Sequence, residues 1–240
     1  MAANFYVAPE QLMKDRAEYA HKGIARGRAL VAVAFAHGVV FAGENPSASL
    51  HKTSEIYDSI AFAAVGRYNE FEALRVAGIR LADVKGYQYA REDVTAKPLA
   101  NAYSQALGAS FMGEAKPFEV ELLIAQVDAE RTPAGDGSDG DPDDSALELF
   151  HILYDGSIVD EHRFVAIGGD TEPLRAELER RFEDSLDRDG AVRVAAGALS
   201  EVAGRTLGAE VLEVSGLDAR RPRRRFFRLE GEELAAVLTA

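Results

Sequence analysis

Lys52, in the stretch "SASLHKTSEIYD", is an amine set between two apolar runs, and no neighbouring residue reads as its partner in chemistry. On residue type alone it is a solvent-exposed charge closing a strand, because lysines are seldom buried without a counter-charge. The other reactive residues offer less. The histidines, at positions 21, 37, 51, 151 and 162, show neither HxxxH spacing nor an associated carboxylate pattern, which argues against a metal site. The acidic run "DAERTPAGDGSDGDPDDSA" invites calcium, but an EF-hand needs Gly at its sixth and Glu at its twelfth position. Counted from Asp139, those positions hold Asp144 and Phe150. "GGD" at 168–170 lacks the lysine and spacing of a phosphate loop and reads as a strand-to-helix turn. "RRPRRRFFR", from Arg220 to Arg228, is basic, yet its alternation with Phe226, Phe227 and Leu229 suits an edge strand or subunit contact better than a phosphate track.

The chain as a whole carries 40 acidic against 27 basic side chains, a net charge of −13. Such a surface repels nucleic acid and anionic membrane, so neither is expected as a partner. Cysteine is absent, which removes disulfides, thiol nucleophiles and thiolate metal sites together. "MAANFYVAPEQ" has no basic start followed by an apolar stretch, and the longest apolar run, 29–43, is too short for a bilayer. A cytoplasmic protein without a cofactor is the expectation.

The elements that must position these residues follow from periodicity. A helix is expected over 9–27, with Pro9 in its first turn and Gly23 and Gly27 as stops. Two strands joined by a tight turn at His37-Gly38 come next, and then a pair at 49–53 and 59–65. "SIAFAAVG" is apolar on both faces and belongs inside a sheet system. Two helical stripes follow: Phe71, Leu74, Gly78 and Leu81, then Leu99, Ala102, Ala106, Ser110 and Phe111. Strands at 118–127, 146–153 and 162–169 lead to a helix capped by Asp170 or Thr171, then to a helix at 191–203. Strands near 208–214 and 223–229 and a helix at 231–238 close the chain. The stretch 129–145 cannot pack a core and reads as a flexible acidic loop. Strand blocks joined by tight turns and separated by helix pairs imply an α+β fold. The arrangement that buries every apolar face is a four-layer αββα sandwich of two antiparallel sheets.

Six stretches in this order resemble the 20S proteasome α subunits of actinobacterial type. They are "EYAHKGIARG", "GVVFAGENPSASLHKTSEIYD", "GRYNEFEALRVAGIRLADVKGY", "KPFEVELLIAQV", "YDGSI" and "RPRRRFFRL", and they span most of the chain. The resemblance implies the fold of the N-terminal-nucleophile hydrolases, with residues 9–240 as one domain and residues 1–8 as a gate segment. Active members of that superfamily expose a Thr, Ser or Cys at the start of the first strand, with its own amine as base. Here Gly27, Arg28 and Ala29 supply no such group, so no catalytic residue is expected.

What the resemblance implies instead is a ring. Proteasome α subunits form seven-membered rings that cap catalytic β rings, bind a ring-shaped AAA-type ATPase activator and admit unfolded or tagged polypeptides. By position, Met1, Ala2, Ala3, Asn4, Phe5, Tyr6, Val7 and Ala8 would form the gate, with Pro9 as the turn proline behind it. The family's Tyr-Asp-Arg gate motif has no counterpart in "MAANFYVA". Lys52 would receive the activator's C-terminal carboxylate, an ammonium-to-carboxylate hydrogen bond, and Gly66 would be the pocket glycine that lets the incoming chain approach. Two other readings stand beside this one: an amidohydrolase whose nucleophile is revealed by cleavage within the first helix, and a ring scaffold without β partners.

Overall fold

The computed structural model of the chain describes residues 8–47, 49–128 and 147–239. Helix α1 (Pro9–Ala25) leads into strands β1 (Leu30–Phe35), β2 (Gly38–Glu44), β3 (Thr53–Tyr57) and β4 (Ile60–Gly66). Helices α2 (Tyr68–Gln88) and α3 (Ala96–Gly113) follow, joined through a short 3-10 turn at Arg91–Asp93. Then come β5 (Val120–Val127), β6 (Leu147–Ile152), β7 (Ile158–Glu161) and β8 (Phe164–Ile167). Helices α4 (Thr171–Arg181) and α5 (Arg188–Ala203), strands β9 (Leu212–Asp218) and β10 (Phe226–Leu229) and helix α6 (Gly231–Thr239) complete the order.

The strands form two antiparallel five-stranded sheets, in the orders β10-β9-β2-β1-β8 and β3-β4-β5-β6-β7. Strand alternation explains why both sheets are apolar on both faces. In β4, Ala61, Ala63 and Val65 turn inward to meet Leu30, Ala32, Val39 and Phe41 of the first sheet. Ile60, Phe62 and Ala64 turn outward against α2 and α3. On the far side, Val31, Val33, Val40 and Ala42 pack under α4, α5 and α6 through Leu174, Leu178, Val192, Leu199 and Leu234. The result is the α+β, four-layer αββα sandwich of the N-terminal-nucleophile hydrolases. Among the described residues no helix is long and apolar enough to cross a membrane.

Several expected boundaries move. The first strand of the second pair runs from Thr53 to Tyr57 and not over 49–53. Upstream of it, the Asn45 side chain accepts from Ser47 N (3.0 Å) and donates to Leu50 O (2.7 Å), a local turn that competes with strand pairing. Strand β7 is an addition. It is a mostly exposed edge strand, and a strand that buries neither face has no apolar alternation to read. Strands β9 and β10 start three to four residues later than expected. In α2 the buried stripe is Phe71, Leu74, Gly78 and Ala82, while Leu81 is 44% exposed. At about 100° per residue, Ala82 lies roughly 20° from the direction of Phe71 and Leu81 roughly 80° away. In α3, Tyr103 and Leu107 take the core positions expected of Ala102 and Ala106.

Helix α1 lies against β4 and β5, with Ala20 and Ile24 buried. Arg16 anchors it: its guanidinium donates to Ser110 O (3.2 Å) and to Glu114 O at the C-terminal end of α3, and packs over the Phe111 ring. A cation there reaches carbonyls at the C-terminal end of α3, where the helix runs out of its own donors, and complements its dipole. Arg16→Ala is expected to lower unfolding stability by about 1–3 kcal/mol, the range for hydrogen bonds from a charged donor. Urea denaturation of the two chains measures it, and a shift within error would show that the apolar face alone holds α1.

Candidate functional site

Lys52 ends the turn-rich loop that precedes β3. Its N–H points at both oxygens of the Glu213 carboxylate (3.1 and 3.0 Å), and its carbonyl accepts from Ala64 N on β4 (2.9 Å). The half-buried side chain reaches the joint between α1 and β1, where Nζ donates to Arg28 O at 2.7 Å. Burial lowers the Lys52 pKa to about 8; the Glu213 carboxylate opposes this, the Arg28 guanidinium adds to it, and Glu44 opposes it. Glu44 itself is held by Arg28 (3.3 Å) and Arg205 (2.6 Å).

Glu213, on β9, is the hub that the sequence did not announce. Besides Lys52 N, its carboxylate accepts from Thr53 N (3.0 Å), Thr53 Oγ1 (2.6 Å), Asn45 Nδ2 (2.6 Å) and Arg228 Nη1 (3.0 Å). Ser215 Oγ donates to Thr53 Oγ1 (2.8 Å), and Arg228 Nη2 donates to Thr53 O (2.8 Å). Burial pushes the Glu213 carboxyl up. The hydrogen bonds from the Lys52 backbone, Thr53, Asn45 and Arg228 outweigh it and hold the group below its usual range. One carboxylate thus ties the head of β3, in one sheet, to β9 and β10 in the other. The available signal was the pair of polar residues at alternate positions, Glu213 and Ser215, in an otherwise apolar strand.

Gly66 closes β4 with φ at +105°, and a Cβ there would stand 1.9 Å from Glu119 O. Only glycine fits this backbone and this approach. A Cβ on Gly27 would come within 3.5 Å of Gly66 N, so the two backbones abut. Lys52 and Gly66 therefore meet the same joint, residues 27–28, one through its ammonium and the other through its main chain. Of the expected gate residues, Pro9 sits in the first turn of α1, with Ala8 before it accepting from Leu12 N (3.0 Å). Met1 to Val7 and the acidic stretch 129–145 lie outside the described residues.

At the head of β1 the chain runs without a break from Ala25 of α1 through Arg26, Gly27, Arg28 and Ala29 to Leu30. That is the position where an active hydrolase of this fold needs a free amine and a hydroxyl or thiol. The family model described as "Proteasome subunit" matches residues 24–134 and 139–215. The chain belongs to the proteasome subunit family. Curated proteasome-family relatives carry the name "Proteasome subunit alpha". One from Kineococcus radiotolerans is 52% identical over 246 residues, covering 99% of this chain and 98% of the relative. One from Acidothermus cellulolyticus is 50% identical over 243 residues, with the same coverage. One from Streptosporangium roseum is 50% identical over 233 residues, covering 97% of this chain and 85% of the relative. Because α1 stands in front of the first sheet strand, Lys52 meets a joint of the chain there, through Arg28 O.

Proposed function

We propose that this chain is a noncatalytic α-ring subunit of a cytoplasmic 20S proteasome core. Copies assemble as a homoheptamer, stack on β rings that hold the hydrolytic sites, and use residues 1–8 with Pro9 to gate entry of unfolded or tagged polypeptides. A ring-shaped AAA-type ATPase docks on the outer face by placing C-terminal carboxylates against Lys52, beside Gly66. No cofactor is needed. The observation that carries the reading is the head of β1, where a peptide-bonded Gly27-Arg28-Ala29 stands in place of a nucleophile and its free amine.

Reconstitution with a β subunit tests it. Deleting residues 2–8 is expected to raise hydrolysis of long peptides severalfold while leaving short-peptide turnover nearly unchanged, because only the entrance widens. Equal rates before and after deletion would remove the gate. Intact-mass spectrometry after epoxyketone treatment is expected to find this chain unmodified; an adduct on a trimmed chain beginning at Ser or Thr would establish the hydrolase reading instead. Co-purification without any β subunit would favour a solitary scaffold.

A further inference from the structure

A cavity of about 660 Å³ lies along α5, between the end of α4, the loop after α5 and the end of α6, and touches the surroundings of Lys52 only through the Arg205–Glu44 pair. Three arginines line it: Arg181, Arg193 and Arg205. We propose that it binds a small multivalent oxyanion, a molecule carrying two or more phosphate groups.

The helix builds the site by its own period. Arg193, Gly197 and Ser200 fall on one face of α5, at spacings of four and three residues, and the C-cap Gly204 follows four residues later. Gly197 leaves that face bare, and Arg181 lies over the gap: a Cβ on Gly197 would stand 2.8 Å from Arg181 Nη1. Gly204, with φ at +65°, turns the chain back so that Arg205 N reaches Ser200 O (3.2 Å) and Leu207 N reaches Ser200 Oγ (3.1 Å). Ser200 is used there as an acceptor, which leaves its hydroxyl proton for another group.

The charges do not balance from within. Arg181 is shared with Glu177 (3.0 Å) and Glu201 (3.7 Å), and Arg205 pairs with Glu44 (2.6 Å). Arg193 makes no ion pair or side-chain hydrogen bond with another described residue. Arg181, in the last turn of α4, is accounted for by the negative end of that helix. Arg193 is in the second turn of α5 and gains nothing from that field. The lining is thus three guanidiniums against the single carboxylate of Glu201, on a chain whose net charge is −13. Guanidinium forks match phosphate oxygens in pairs, and the volume suits a small ligand. Among the described residues no aromatic side chain lines the cavity, so they offer no platform for stacking a nucleobase; phosphate groups, and not a base, are what they can recognise.

Titration calorimetry of the full chain with inorganic tripolyphosphate is the test. One saturable site per chain is expected, weakening as salt rises. Arg193→Ala should weaken it about tenfold, the loss of one charge-assisted contact. Gly197→Leu keeps every charge, favours the helix and fills the groove, and should weaken it as much. Replacing Arg221 and Arg223, exposed arginines of the β9–β10 turn, with alanine should change nothing. Absence of saturable binding, an equal loss in the Arg221/Arg223 control, or indifference to both Arg193→Ala and Gly197→Leu would overturn the site. Thermal unfolding of each variant confirms that the fold is kept.

Discussion

Lys52→Ala is expected to abolish ATPase-stimulated degradation by the assembled particle while basal peptide hydrolysis and assembly persist. A charge-assisted hydrogen bond is worth about 1.5–3 kcal/mol, so each docking site weakens roughly tenfold to a hundredfold. Stability should hardly change, because the ammonium sits where burial disfavours its charge. The pH dependence makes the assignment sharper. With its pKa lowered to about 8, Lys52 is protonated at neutral pH and loses its charge as pH rises through that value. Docking of a carboxylate should therefore weaken about fivefold between pH 8 and pH 9, well below the range in which an ordinary lysine titrates. Folding moves the other way. Between about 8 and the ordinary lysine value of 10.5 the unfolded chain holds the Lys52 proton and the folded chain has released it, so this residue's contribution to stability grows with pH. Affinity of an activator C-terminal peptide, followed from pH 7 to 9.5 alongside urea denaturation, reads both slopes. Stimulation that survives Lys52→Ala, or docking indifferent to pH in this window, would sink the carboxylate pocket.

Glu213→Ala is expected to cost about 3–5 kcal/mol of stability, the range for breaking one partner out of a buried charged network. It leaves Thr53 N–H, the Thr53 hydroxyl, the Asn45 amide and the Arg228 guanidinium without their shared acceptor. The loop that carries Lys52 is released with them, so stimulated degradation should fall as well. That separates the two variants: Lys52→Ala loses docking alone, Glu213→Ala loses docking and stability together. Glu213→Gln keeps the shape but turns an acceptor oxygen into a donor facing other donors, and should lie between. Because the folded carboxyl sits below its usual value of 4.5, its contribution is complete above that pH and fades as pH falls through the lower, folded value. Denaturation midpoints at pH 7 and near pH 4 measure this. A Glu213→Ala chain within about 1 kcal/mol of the parent would refute the hub.

How far the site was legible depended on sequence distance. Gly66 stood at the end of a strand that is apolar on both faces, and such a strand must lie inside the sandwich; that its backbone, at a φ of +105°, abuts Glu119 O and the Gly27 joint was visible only in the structure. Lys52 was visible as an isolated amine, but its surroundings were not, because the carboxylate that holds its backbone is 161 residues away. The misplaced strand at 49–53 has the same origin. Its residues have strand-like alternation, yet Asn45 and Glu213 supply hydrogen bonds that replace those of a ladder. Strand β7 went unread for the opposite reason, since it hides no face and so leaves no periodic trace.

By itself, the sequence determined the layers of this protein: period-two strands apolar on both faces must be sandwiched, and period-3.6 helices with one apolar face must cover them. It also determined that no hydroxyl or thiol stands at Gly27-Arg28-Ala29, since that is a matter of residue identity. Only the tertiary structure decided what Lys52 touches, which carboxylate fixes it and how far its charge is perturbed. Periodicity records whether a side chain faces core or solvent, whereas hydrogen bonds and desolvation depend on which distant strand lies across the layer.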